Sequence, residues 1–128
     1  MTLNIQPGFN GSAGTLVQDN LIGGSVVNAV TESVILDAGN LTRGALLGKI
    51  TATGKVILSL SAAVDGSQTP YAVLAEDADA TSADVTTIAY LTGEFNSTAM
   101  TFGTGHTAAS VAAGLRDVGI FLKTNLAA

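Results

Sequence analysis

Several short stretches of this chain carry the residue types, and nearly the spacing, of working chemistry. Residues 44–49, "GALLGK", look like a phosphate loop, which needs G-x-x-x-x-G-K-[ST] so that backbone N–H groups wrap the phosphates and a hydroxyl reaches magnesium. Here three residues separate Gly44 from Gly48, and Ile50 follows Lys49, so the loop is one residue short and lacks the hydroxyl. A glycine-flanked strand end is the expectation. Residues 76–84, "EDADATSAD", set Asp77, Asp79 and Thr81 at the first, third and fifth positions of a calcium loop. The sixth position is Ser82 instead of the glycine that makes the sharp turn, and the twelfth is Ile88 instead of a bidentate glutamate. A solvated acidic loop between two strands accounts for the run.

Residues 103–108, "GTGHTA", imitate a dinucleotide-binding turn, but no βαβ pattern surrounds them and no ribose-binding acid follows. They read as a tight approach to a helix. His106 is the single histidine. A serine hydrolase would pair it with a G-x-S-x-G elbow and an orienting acid, and no such elbow occurs. Cysteine is absent, which removes disulfides and thiolate metal sites. This inventory leaves too little for acid–base, nucleophilic or metal catalysis. The chain is expected to be no enzyme, with no catalytic residue, no bound metal and no cofactor.

Charge narrows the partners. Only 12% of residues are charged and the formal net charge is −5. Arg43, Lys49 and Lys55 make a local cluster of cations, whereas residues 56–115 hold six acids and no Lys or Arg. Nucleic-acid affinity rests on Lys and Arg displacing counterions, so no direct nucleic-acid binding is expected. The first ten residues, "MTLNIQPGFN", lack a basic stretch followed by an apolar one, and no run is apolar enough to span a bilayer. The expectation is a soluble, cytoplasmically made protein with no membrane association.

The elements that would position these residues are mostly strands. Residues 32–36 form a β-branched run closed by "DAGN" at 37–40. Residues 46–52 and 55–60 flank Thr53-Gly54 as a tight hairpin, and "DGSQTP" at 65–70 is a turn. Residues 71–75 read as a short buried strand. Residues 85–95 read as a longer one, whose two half-apolar faces suggest burial on both sides. Near the end the period changes: Ala108, Val111, Ala112 and Leu115 recur at helical spacing, with Thr107 as N-cap and Gly119 as C-terminal stop. Residues 120–123 return as a final strand. The fold class is therefore mainly β (α+β): a small β-rich domain, residues 26–128, with one short helix near the C-terminus.

Residues 1–25 form a separate segment rich in Gly, Asn and Ser, with Leu3, Ile5, Phe9, Leu16, Val17, Leu21 and Ile22 scattered through it and no sustained period. It reads either as a flexible tail or as an extended arm that orders on a partner, and the isolated apolar residues favour the arm. Aromatic residues are only 5% of the chain and much of its apolar content is alanine, so the core is small. Such a domain gains stability by burying more surface against copies of itself or another protein.

Taken together, Arg43-Gly44 with Gly48-Lys49-Ile50, Asp65-Gly66-Ser67-Gln68, the run from Ala72 to Asp77, Gly93-Glu94-Phe95-Asn96, Leu115-Arg116 and Gly119-Ile120 resemble the head decoration proteins of tailed bacteriophages, the lambda-type capsid-stabilising family. The resemblance covers residues 30–124. It implies a β-rich homotrimer without enzymatic activity, bound to the major capsid protein on the outer surface of the expanded head in the virion. There it would act as a cement that holds the shell against the pressure of packaged DNA. It also implies an N-terminal arm that orders on the capsid, which makes Ile5, Phe9, Leu16, Val17, Leu21 and Ile22 the expected capsid-facing anchors. A self-assembling tail, fibre or surface-layer module is the alternative.

Overall fold

The computed structural model describes residues 21–22 and 28–124. Among these the chain forms strands β1 (Val30–Leu36), β2 (Gly39–Leu41), β3 (Leu46–Lys49), β4 (Val56–Leu58), β5 (Pro70–Leu74), β6 (Ala78–Ala80) and β7 (Val85–Asn96), then helix α1 (Ala108–Asp117) and strand β8 (Ile120–Lys123). The expected β-rich domain with one helix near its end is what the chain adopts.

Five strands close on themselves. β4 pairs antiparallel with β3, β3 with β5, β5 with β7, and β7 with β1. The ring is completed by a parallel contact between β1 and β4 at a single register pair, Leu36 opposite Val56. β8 lies outside the ring, parallel to the second half of β7 from Gly93 opposite Ile120 to Asn96 opposite Lys123. β2 and β6 form a separate two-stranded ribbon.

Alternation along the strands sorts side chains into two cores. Leu36, Leu47, Val56, Leu74 and the alanines Ala45, Ala72, Ala80 and Ala89 fill the first. Leu46 and Val73, pointing the opposite way from Leu47, Ala72 and Leu74, join Leu21, Phe95, Val111, Leu115 and Ile120 in the second, under the helix. β3 and β5 are thus covered on both faces, which is why both read as continuous apolar runs.

Local chemistry sets the boundaries. Thr107 accepts a hydrogen bond from the Ser110 amide while the Ser110 hydroxyl accepts one from the Thr107 amide, a reciprocal cap that starts α1. Gly119, at φ 86°, ends the helix in the left-handed region and turns the chain into β8. The hairpin around Thr53-Gly54 forms with shorter strands than expected, because the loop spans residues 50–55 and closes through Ile50 N–H to the Lys55 carbonyl at 2.8 Å.

Three readings are corrected. Only the first half of "DAGN" is a turn, since Gly39 and Asn40 enter β2. The acidic run is not wholly loop, because its Ala78–Ala80 segment pairs with β2 as β6. β7 is not buried on both faces throughout. Thr86 and Ile88 are exposed while Thr87 and Ala89 face the core, and burial becomes continuous only from Gly93 to Asn96, where β8 covers it.

Gly48 marks where the turn at residues 65–69 lies against β3, since a Cβ there would stand 1.9 Å from the Ser67 carbonyl oxygen. By contrast, a Cβ on Gly114 in α1 meets nothing within 4 Å. Gly48→Ala is expected to destabilise by about 1–3 kcal/mol through overpacking. Gly114→Ala should stabilise by up to about 0.8–1.0 kcal/mol through helix propensity. Thermal unfolding followed by circular dichroism should show midpoints moving in opposite directions; equal or like-signed shifts would contradict this packing.

Candidate interaction surface

The residues with the most chemical potential are occupied in holding loops together. His106 Nε2 lies 3.1 Å from the Ser59 hydroxyl, but that hydroxyl donates its own proton to the Ser67 carbonyl at 2.7 Å. The imidazole must therefore act as donor toward Ser59, the reverse of a base activating a nucleophile. Ser59 is fully buried, and the three residues tie the end of β4, the 65–69 turn and the start of α1 into one junction.

The acids are likewise engaged. Asp65 Oδ1 accepts from both the amide and the hydroxyl of Ser67, at 3.0 and 2.5 Å. Asp79 Oδ1 does the same for Thr81, at 3.0 and 2.7 Å, and Asp77 accepts from the Arg43 amide at 2.8 Å. Asp65 and Asp79 each close a local turn and Asp77 holds the distant Arg43 amide, so the carboxylates do not converge on one point, and among the described residues no group of three His, Asp or Glu is placed to hold a metal. In "GALLGK", the Gly44 and Leu46 amides donate to the Leu74 and Thr101 carbonyls, and Gly48 belongs to β3. These amides are committed to the sheet rather than turned out around an anion.

The cations separate into three environments. The Arg43 guanidinium donates to the Ala75 carbonyl at 2.7 Å and the Tyr90 hydroxyl at 2.9 Å, and lies 5.5 Å from the centre of the Tyr90 ring. Lys55 pairs with Asp84 at 2.7 Å, with Asp37 at 4.0 Å. Lys49 stands over the Tyr71 ring at 5.0 Å and makes no ion pair among the described residues. Elsewhere Lys123 of β8 reaches the buried carboxylate of Glu94 on β7, tying the added strand to the ring.

What the surface offers instead is neutral contact area. On the outer face of β1 and β7, Thr31, Ser33 and Ile35 lie opposite Tyr90, Ile88 and Thr86. Ile35 and Ile88 are diagonal neighbours, each 42% exposed, set among the hydroxyl side chains of Thr31, Ser33 and Thr86. Sequence reading missed this face because Thr and Ser flanking Ile look like one side of a buried strand.

Of the six expected arm anchors, only two fall on described residues. Leu21 is buried in the second core, and its carbonyl accepts the Asn96 amide at 2.6 Å. Its side chain is taken up by the domain itself and has no face left for a partner. Ile22 bridges to Phe95 and remains 38% exposed. Ile5, Phe9, Leu16 and Val17 lie outside the described residues. Near its C-terminal end the segment is thus held at Leu21 and Ile22 beside the second half of β7, a long-range contact that residues 1–25 alone do not signal.

The family model of bacteriophage lambda head decoration protein D matches residues 12–121. No curated protein sequence matches the chain significantly.

The ion pair and the capped turns give acid stability a definite sign. The Asp84 carboxyl is held below its ordinary value by the hydrogen bond and charge of Lys55, Asp65 by the Ser67 hydroxyl, and Asp79 by the Thr81 hydroxyl. A depressed folded value means each contribution is full above the ordinary 3.8 and lost as pH falls through the lowered one. Lys55 is raised by the Asp84 hydrogen bond, so its contribution is full below 10.5 and lost above it. Unfolding midpoints should therefore stay level from neutral pH to about pH 4 and then fall. Asp84→Asn should flatten part of that fall, and a wild-type acid slope retained in full would remove the pair from the account.

Proposed function

The chain belongs to the bacteriophage lambda head decoration protein D family, a family of structural virion proteins that decorate the phage capsid, and we propose that it acts as a trimeric cement on the outside of the expanded head. In this reading three copies bind the major capsid protein and reinforce the shell against the pressure of packaged DNA. The observation that carries it is the family match across residues 12–121. The neutral Ile35–Ile88 face and the low share of charge support it physically, because surfaces of this kind bury area without stranding ions.

The arm follows from the same reading. Ile5, Phe9, Leu16 and Val17 are proposed as the capsid-facing anchors, with Ile22 at the root where the segment leaves the domain. An extended segment with few side-chain anchors binds through main-chain hydrogen bonds to a sheet edge. Three arms on one particle multiply a weak contact through effective concentration. Because Leu21 packs in the second core, a truncation meant to remove only the arm must stop before it.

Light scattering on the purified protein is expected to give a species of about 38 kDa, three times the chain's 12.7 kDa. Added to expanded, undecorated heads, the protein should bind and raise the temperature at which DNA is released. Deleting residues 1–18 should weaken binding at least about tenfold, roughly 1.4 kcal/mol, while leaving the unfolding midpoint within a few degrees. A protein that fails to bind, or binds without raising head stability, would argue instead for another virion structural module. Unchanged affinity after truncation would refute the arm.

A further inference from the structure

β1 has a free edge. In an antiparallel ladder alternate residues bond the partner strand, and the rest turn their peptide groups to the other side. Asp37 donates its amide to the Val56 carbonyl, on the side of β4. Ile88, which lies opposite Ser33, gives its carbonyl to the Ala75 amide on the far side of β7. Both bonds set the same parity: Glu32, Val34 and Leu36 serve the β7 ladder, and Thr31 and Ser33 turn their N–H and C=O groups away from it. β4 meets β1 only at Leu36–Val56, so no strand takes up those groups among the described residues.

The edge opens on a hollow of about 480 Å³ between β1 and the β3–β4 hairpin, and Glu32, Ser33, Ile35, Lys49, Lys55 and Tyr71 contribute to its walls. The charges in it are unequally engaged. Glu32 accepts from the Tyr71 hydroxyl at 3.2 Å, and Lys55 is held by Asp84 and Asp37. Lys49, over the Tyr71 ring, has no acidic partner among the described residues. The hollow therefore combines an unpaired strand edge, apolar wall area from Ile35 and Tyr71, and one available cation.

We propose that the β1 edge takes an extended segment of the capsid shell as an added strand, with an acidic side chain of that segment meeting Lys49. This rests on the decoration reading and adds a second contact to it, in which this chain supplies the sheet edge instead of the strand. Unpaired edges template strand addition, and the alternating pockets beside them select side chains. The chain's own first twenty residues are a poor occupant. They carry one acid, Asp19, two positions from Leu21, which is fixed beside Phe95 on the other half of β7.

The test uses the full-length protein and expanded, undecorated heads. Amide hydrogen exchange on the wild-type chain should show Thr31 and Ser33 exchanging fast when free and at least about tenfold slower on heads, with Glu32 and Val34 protected in both states as ladder amides. Ser33→Pro removes a donor that the fold does not use, a position where an edge strand tolerates proline. Ser33→Pro and Lys49→Glu should each weaken head binding about tenfold, and the loss for Lys49→Glu should shrink at high salt. If the wild-type chain does not bind heads, the decoration reading itself fails. If it binds, but exchange at Thr31 and Ser33 stays fast or both variants bind as wild type does, the strand-addition inference fails alone. Protection of the same amides in the unbound protein, growing with its concentration, would also overturn it by giving the edge to a second copy.

Discussion

A ring closed by only five strands has little room along its axis, and that constraint organises the rest of the molecule. Barrels of eight strands are just wide enough to be filled by side chains, and a five-stranded ring is narrower. Of the first core's alanines, Ala72 and Ala89 sit on the ring strands β5 and β7, where small side chains suit the narrow interior. Leu36, Leu47 and Leu74 also fill that core, and the second layer adds Phe95, Leu115 and Ile120 under the helix. Hydrophobic stabilisation scales with apolar area removed from water, so a core of alanines contributes less than its residue count suggests. The small first core leaves much of the apolar burial to the second layer formed by the helix and β8.

β7 joins the two layers. Its first half closes the ring against β1 and β5, and its second half leaves the ring to carry β8. The change of role falls at Gly93, whose φ of 146° no larger side chain adopts comfortably. Next to it, Tyr90 is tilted against Phe95 at 5.3 Å and receives the Arg43 hydrogen bond. The Arg43 guanidinium also fixes the end of β5 through the Ala75 carbonyl while the Arg43 backbone amide donates to Asp77, so one residue joins the ring, the acidic segment after β5 and the start of the second layer. Leu21 packs into the same region, in the second core with Phe95.

What was legible in the sequence was local. The Thr107 cap, the Gly119 stop and the helical spacing of Val111 and Leu115 are written within a few residues of one another, and the helix follows them closely. The hairpin at Thr53-Gly54 is also local, although its loop proved longer. The β2–β6 ribbon is not local: it pairs Gly39–Leu41 with Ala78–Ala80, two segments too short and too polar to show a strand period. Ring closure through one β1–β4 pair is equally invisible. The outer face of β7 misled because threonine counts as half apolar by composition, yet Thr86 faces solvent and Thr87 faces the core, donating to Glu76 at 3.1 Å. The candidate surface was legible only in outline, as a chain poor in charge. Which charges remain available depended on pairings across as many as 47 residues, such as Arg43 to Tyr90.

Those pairings determine what sort of surface remains. Arg43 is spent inside the fold, Lys55 and Lys123 are matched to acids, Asp65 and Asp79 close their own turns, and Asp77 holds the Arg43 amide. Neutral strand faces and backbone groups remain for contact with a partner. Such faces cost little to desolvate, but each adds little by itself, because exposed aliphatic area here is small, as in the Ile35–Ile88 pair. A protein built this way cannot hold a partner tightly through one site. Its affinity has to come from several modest contacts made together, which is the arrangement that repeated copies on a symmetric shell would supply.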